Sequence, residues 1–169
     1  MKCESCAAPM TLVEHRDYYR CNYCVTFHFP TPMEASADGL QPLGQQSEWR
    51  CPVCALFLSA GTLERRRVWY CQKCRGVFLS NDDFAFILGR RRSQRTGAAT
   101  KPVPVNPQDL ERRISCPTCS MEMDVHPYYG PGNAVIDSCG RCRMVWLDHG
   151  EIGVLEKAQV GSNHTYIKA

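Results

Sequence analysis

Twelve cysteines are the residues of this 169-residue chain best suited to do chemistry, and all of them fall into C-x-x-C pairs. The pairs are Cys3 and Cys6, Cys21 and Cys24, Cys51 and Cys54, Cys71 and Cys74, Cys116 and Cys119, and Cys139 and Cys142, with none left over. A thiolate can ligate a soft or borderline metal, act as a nucleophile or cycle with a disulfide. Spacing decides among these. Two intervening residues let both sulfurs of a turn face one point while backbone N–H groups solvate them, so two such turns can surround one ion tetrahedrally. Six pairs therefore predict three tetra-cysteine sites and three Zn²⁺, with iron in a rubredoxin-like site as the alternative that ligand softness leaves open. Four cysteines close the coordination shell and leave no position for water or substrate, which argues against a metalloenzyme. No nucleophile–base set or phosphate loop is present either, so neither an enzyme nor a small-molecule substrate is expected. The histidines His15, His28, His126, His149 and His164 do not fall at ligand spacing with the cysteines and read as surface or capping residues.

The N-terminus MKCESCAAPM lacks an apolar core behind a basic start, and nowhere do 18 consecutive apolar residues occur. Neither a signal peptide nor a membrane span is expected, and the chain is read as cytoplasmic, where thiols hold metal more often than they form disulfides.

The elements that must position the cysteines follow from what lies between them. The inner cysteines of successive pairs are separated by 14, 16 and 19 residues within the proposed sites, and by 26 and 41 between them. Each short interval carries strand-forming residues, such as Tyr18 and Tyr19, Val68 to Tyr70, or Val135 and Ile136, as a hairpin joining two metal-binding turns requires. The long intervals read as tethers: 30–46 is rich in Pro, Gly and Gln, and 91–108 is basic and then Pro-rich. The internal repeat thus has three copies, of which the second and third align without a gap from Cys71 to Phe84 and from Cys139 to Ile152. Units of this size sit near or below the roughly 40 residues at which a domain needs a metal or another staple. Structural zinc contributes on the order of 10 to 16 kcal/mol in small peptides.

Each of these two copies ends in a helix start. Ser80 is the expected N-cap of the second, with Asp83 at N3 and Leu79 against Phe84 as a hydrophobic staple. Asp148, Glu151, Leu147 and Ile152 hold the matching places in the third. The acidic clusters favour the positive end of a helix dipole; an acid–base pair is the functional rival and would need a cleft and a perturbed pKa. The first copy has Pro30 after Cys24 and reads as the smallest unit.

Cys116-Pro117-Thr118-Cys119 with Cys139 to Glu151 resembles the transcription-factor-IIB-type zinc ribbon found in small bacterial proteins. Cys51-Pro52-Val53-Cys54 with Cys71 to Asp83 matches more loosely. Gly76 sits where that family favours glycine, while Phe78 and Ser80 replace its Trp and Asp; in the third copy Met144 departs from the glycine. The first copy shares only its four cysteines. The resemblance spans about half the chain and implies zinc-ribbon folds, metal binding and an association with transcription. The expected fold class is small, metal-stabilised and mainly β: three tandem zinc ribbons, the second and third each followed by a short capped α-helix. The expected divisions are ribbon 1 over 1–30, a flexible linker 31–47, ribbon 2 with helix 48–93, a basic Pro-rich linker 94–111, ribbon 3 with helix 112–160 and a tail 161–169.

The formal charge of +3 assumes neutral thiols. Twelve thiolates and three Zn²⁺ bring the loaded protein to about −3, so it is no polycation. Local charge remains: Arg65, Arg66 and Arg67 on the second hairpin, and Arg90, Arg91, Arg92 and Arg95 after its helix, continuing to Lys101, Arg112 and Arg113, form a candidate phosphate-contacting surface. The competing reading gives the same arginines to a solvated linker and a helix C-terminus. Strand parity places Trp69, Phe78 and Trp146 on the face of the metal sites, and leaves Tyr70, Tyr128 and Tyr129 as aromatics for exposure. Three functions are carried forward: a nucleic-acid-binding or transcription-associated module, a protein–protein adaptor, and a zinc- or redox-sensing protein.

Overall fold

A computed structural model describes residues 1–13, 16–36, 38–100, 104–105, 107–130 and 132–158. His15, His164, Lys101 and the tail expected from 161 lie outside the described residues. Among the described residues, ten strands and two α-helices follow one another as β1 (Met10–Val13), β2 (Tyr18–Cys21), β3 (Phe27–His28), β4 (Gln41–Arg50), β5 (Phe57–Leu63), β6 (Arg66–Tyr70), β7 (Val77–Ser80), α1 (Asn81–Gln94), β8 (Asp124–Pro127), β9 (Val135–Cys139), β10 (Met144–Leu147) and α2 (Glu151–Lys157). The fold is mainly β, as expected. Among the described residues no helix is long and apolar enough to cross a membrane.

The strands form two sheets. The first copy makes a small antiparallel sheet, β1-β2-β3, while the second and third copies share one seven-stranded sheet ordered β4-β5-β6-β7-β10-β9-β8. Three ribbons on flexible tethers are expected, with their packing left open by the sequence; the second and third copies form one body through the shared sheet, and the small N-terminal sheet docks on it. The join is β7 against β10, antiparallel, with Val77 opposite Leu147, Phe78 opposite Trp146 and Leu79 opposite Val145. Phe78 and Trp146 are repeat equivalents, so the two copies face each other about a pseudo-two-fold axis that passes between these rings.

Alternation along β7 and β10 then sorts side chains onto two faces. Val77, Leu79, Val145 and Leu147 join Phe84, Ile87, Leu88, Ile152 and Leu155 in a core covered by α1 and α2. Phe78 and Trp146 point the other way, into a cluster containing cysteines of both copies. Tyr70, expected to be exposed, is buried in the helix-covered core. Parity places it opposite Cys71 correctly, but that face is covered by helices, not by water. Tyr128 packs partly against the same core, and Tyr129 is open to solvent.

The linker expected over 31–47 is also corrected. Residues 41–47 belong to β4, which pairs with β5 from Gln41 opposite Thr62 to Arg50 opposite Phe57. Register shifts after Pro42 and after Gln46 interrupt this edge strand, a feature that hinders further strand pairing. In the segment expected as the second linker, Thr100 bridges to Ala158 and donates its N–H to the Lys157 carbonyl, tying the chain to the end of α2.

The start of α1 follows expectation: Ser80 Oγ accepts from Asp83 N–H at 3.0 Å and donates to Asp83 Oδ2 at 2.8 Å. Ser80→Ala is expected to cost about 1 kcal/mol, read as a lowered urea midpoint with an unchanged slope. Asp148 does not play the same part. The residue before α2 is Gly150 at φ 84, with no side-chain cap, and the Asp148 carboxylate faces arginines instead. Only the reciprocal half of the capping box survives, with Asp148 N–H donating to Glu151 Oε2 at 2.8 Å.

Candidate metal centres

Every C-x-x-C pair is built on the same backbone turn. The residue after the second cysteine has a positive φ in all six: Ala7 at 59°, Val25 at 56°, Ala55 at 58°, Arg75 at 57°, Ser120 at 60° and Arg143 at 55°. In five of them its N–H donates to the carbonyl of the first cysteine, as from Ala7 to Cys3 at 2.9 Å and from Arg75 to Cys71 at 2.8 Å. The first cysteine's own N–H reaches one residue further round, as from Cys51 to Leu56 O at 2.7 Å. The turn curls its free amides onto the sulfur: Val53 and Cys54 N–H lie 3.4 and 3.2 Å from Cys51 Sγ. A left-handed residue without glycine costs about 1 kcal/mol or more. Six repetitions of that strain mark the geometry as required by the sulfurs. No glycine in the sequence signalled it.

The turns meet in the pairs expected. Cys3, Cys6, Cys21 and Cys24 form one group, Cys51, Cys54, Cys71 and Cys74 a second, and Cys116, Cys119, Cys139 and Cys142 a third, with the four sulfurs of each within 4.8 Å of one another. A tetrahedron with metal–sulfur bonds of about 2.3 Å has sulfur–sulfur edges of roughly 3.8 Å. The Cys3–Cys24 and Cys6–Cys21 edges are 3.5 Å, Cys51–Cys74 is 3.6 Å and Cys119–Cys139 is 3.7 Å. These separations suit a central ion and exceed a disulfide bond of about 2.05 Å. Each group could hold one metal ion, and among the described residues no histidine joins them.

The Thr26 hydroxyl beside Cys24 holds that thiol down to about 6, and the Met121 N–H, with Cys142, holds Cys119 down to about 7. Cys74 is pushed up by the sulfurs of Cys51, Cys54 and Cys71 around it. Four sulfurs at this spacing ionise together only when a cation sits among them.

The three groups differ in cover. Phe78 and Trp146, both fully buried, pack in one apolar cluster with the cysteines of the second and third groups, joined by Trp49 and Trp69. Cys6 and Cys24 of the first group lie at the surface.

A charged junction unseen in the sequence surrounds the start of α2. Arg16 Nη2 donates to Glu151 Oε1 at 3.0 Å and lies 3.6 Å from Asp109. Arg112 binds Asp148 at 2.7 Å and also grips the buried Asp137, while Trp146 Nε1 donates to Asp148 Oδ1 at 3.1 Å. Burial alone would raise Asp148; Arg112 and Arg16 outweigh it and hold the carboxyl below its usual range. Burial, reinforced by Asp148, pushes Glu151 up to about 8 against the pull of Arg16. His149, expected at the surface or as a cap, is buried with Nδ1 3.1 Å from Asp38 Oδ2. A cavity of about 550 Å³ between the N-terminal ribbon and the third copy is lined by Arg16, Arg112 and Asp148 among others. Glu151 is not among its walls, and both its carboxylate oxygens accept internal hydrogen bonds.

The candidate phosphate-binding arginines divide. Arg65, Arg66 and Arg67 are exposed at the β5–β6 turn, where Arg66 lies over Phe86 at 4.0 Å and Arg67 over Trp69 at 4.9 Å. Arg90 and Arg91 clasp Glu64 at 3.0 and 3.3 Å, and Glu64 and Arg65 are the two positive-φ residues of that turn. Arg92 donates to Leu155 O at 2.9 Å and Arg95 to Lys157 O at 3.0 Å, supplying the carbonyls that end α2. The carbonyls they bond are those that end α2, while Arg92 also stands in the last turn of α1.

Searches of protein families, curated proteins and solved structures find no match to this chain.

Proposed function

We propose that this chain is a non-enzymatic, zinc-structured interaction module that binds a protein partner, each tetra-cysteine group holding one structural Zn²⁺. The pairing of Arg90, Arg91, Arg92 and Arg95 within the chain carries the choice of partner: Arg90 stays exposed, but the four guanidiniums are already engaged by Glu64 and the end of α2. Apolar side chains stand open beside ligating turns instead, with Val25, Leu56 and Met121 all within two residues of a second cysteine. The zinc-ribbon resemblance adds a transcription-associated setting.

Nucleic acid is the second reading, and the exposed Arg65, Arg66 and Arg67 favour it. Three phosphate contacts would weaken binding about 40-fold between 50 and 200 mM salt. The test is fluorescence anisotropy of zinc-loaded protein with labelled single-stranded DNA, duplex DNA and RNA, after metal analysis. Three zinc equivalents per chain and no nucleic-acid binding at low salt are expected. Tight binding that falls with this salt slope, and is lost on neutralising those three arginines, would instead establish the nucleic-acid reading.

A further inference from the structure

We propose that the first metal centre is the exchangeable one of the three, and that its loss detaches the N-terminal ribbon from the start of α2 while the seven-stranded body keeps its other two metals. The inference rests on the zinc reading above.

Solvent access differs first. Cys6 and Cys24 lie at the surface, whereas no cysteine of the other two groups is exposed. A chelator must reach a sulfur or its metal, and thiolate reactivity follows access. Cover differs next. All eight body cysteines belong to the cluster built on Phe78 and Trp146, and none of the first four does. Opening a body site disturbs the shared core itself, while opening the first site disturbs three strands of four, four and two residues, of which Phe27 packs on the margin of that core.

The attachment explains why metal loss there would be felt elsewhere. No strand pairing joins the small sheet to the large one among the described residues. Arg16 reaches Glu151, and the rings of Phe29 and Tyr18 lie 4.9 and 5.7 Å from His149. Gly150 has no Cβ because the Arg16 main chain stands 3.0 Å from where one would be. These contacts need Arg16 and Tyr18 held by the β1–β2 hairpin. A unit this small depends on its metal for that hairpin. Without it the grip on α2 goes.

The test mixes zinc-loaded full-length protein with excess EDTA and follows zinc release and amide hydrogen exchange together. One zinc equivalent is expected to leave about tenfold or more faster than the other two. The amides of 150–155 should lose protection with it, while those of β7 and β10 keep theirs. Cys24→Ser should bind two equivalents, lack the fast phase and show the same unprotected α2 start. Arg16→Ala, which leaves every ligand in place, should keep three equivalents and quicken the fast phase severalfold. A chain that binds no zinc would overturn the underlying metal reading. Three bound equivalents leaving at one rate, or a fast phase that persists in Cys24→Ser, would overturn the exchange order alone. Protection at 150–155 that outlasts the fast loss would overturn the detachment.

Discussion

Adding one methyl group at Gly76 is expected to lower stability by about 3 kcal/mol, the upper part of the usual range for overpacking. A Cβ built there lies 2.2 Å from Trp146 Cζ2 and 2.8 Å from Cε2. Neither side can give. Trp146 is fully buried and its indole nitrogen is tied to Asp148, while Gly76 sits between Cys74 and β7 with its carbonyl accepting from Cys71 N–H at 3.0 Å. Across the pseudo-two-fold axis the equivalent of Gly76 is Met144, and the equivalent of Trp146 is the smaller Phe78; both belong to the same cluster. The two places use opposite solutions, small backbone position with large ring, and larger side chain with smaller ring. Gly76→Ala combined with Trp146→Phe should therefore lose at least about 1 kcal/mol less than the sum of the single changes. Urea unfolding of the four proteins at one free-zinc concentration measures this. Additive losses would show that the methyl group and the ring do not compete for the same space.

Removing Arg112 is expected to cost about 3 to 5 kcal/mol near neutral pH, because it leaves the buried Asp137 without its cation and the half-buried Asp148 with Arg16 alone, 3.8 Å away. The pH dependence has a definite sign. In the parent protein Asp148 is held below its ordinary value, so it contributes stability above about pH 4 and loses it as pH falls through the folded value. Without Arg112, Asp137 loses the cation that opposes its burial and Asp148 keeps only Arg16, so both carboxyls move up and ionising them at higher pH becomes a cost. The deficit of Arg112→Ala should thus be larger at about pH 8 than at about pH 5.5. Stability of variant and parent compared at each pH with zinc in matched excess checks it, and a deficit independent of pH would show that packing, not charge, is what Arg112 provides.

The metal groups were legible in the sequence because ligation is local: two sulfurs per turn are specified by four adjacent residues, and only the pairing of turns had to be inferred. The Ser80 cap was legible for the same reason. Asp148 was not, although it occupies the same place in the repeat, because its partners Arg16 and Arg112 lie 132 and 36 residues away along the chain. A carboxylate that meets two guanidiniums and an indole N–H has better partners than a helix N-terminus. The expected tether over 41–47 misled by composition. Gln and Pro are poor strand formers in isolation, yet β5 offers a neighbour with unpaired backbone groups, and an edge strand tolerates both proline and bulges. Register between β7 and β10 was equally out of reach, since it depends on two apolar faces closing around residues far apart in the chain.

That register has a consequence beyond packing. In a symmetric dimer every substitution enters the interface twice, so a residue good on one side must also be tolerable on the other. Here both halves are on one chain, and the β7–β10 seam is free of that constraint. One copy can keep Gly76 while the other carries Met144, and one helix start can end in an exposed Asp82 while the other closes beneath a third unit. The chain keeps the closure of a two-fold assembly while letting its halves take on separate duties.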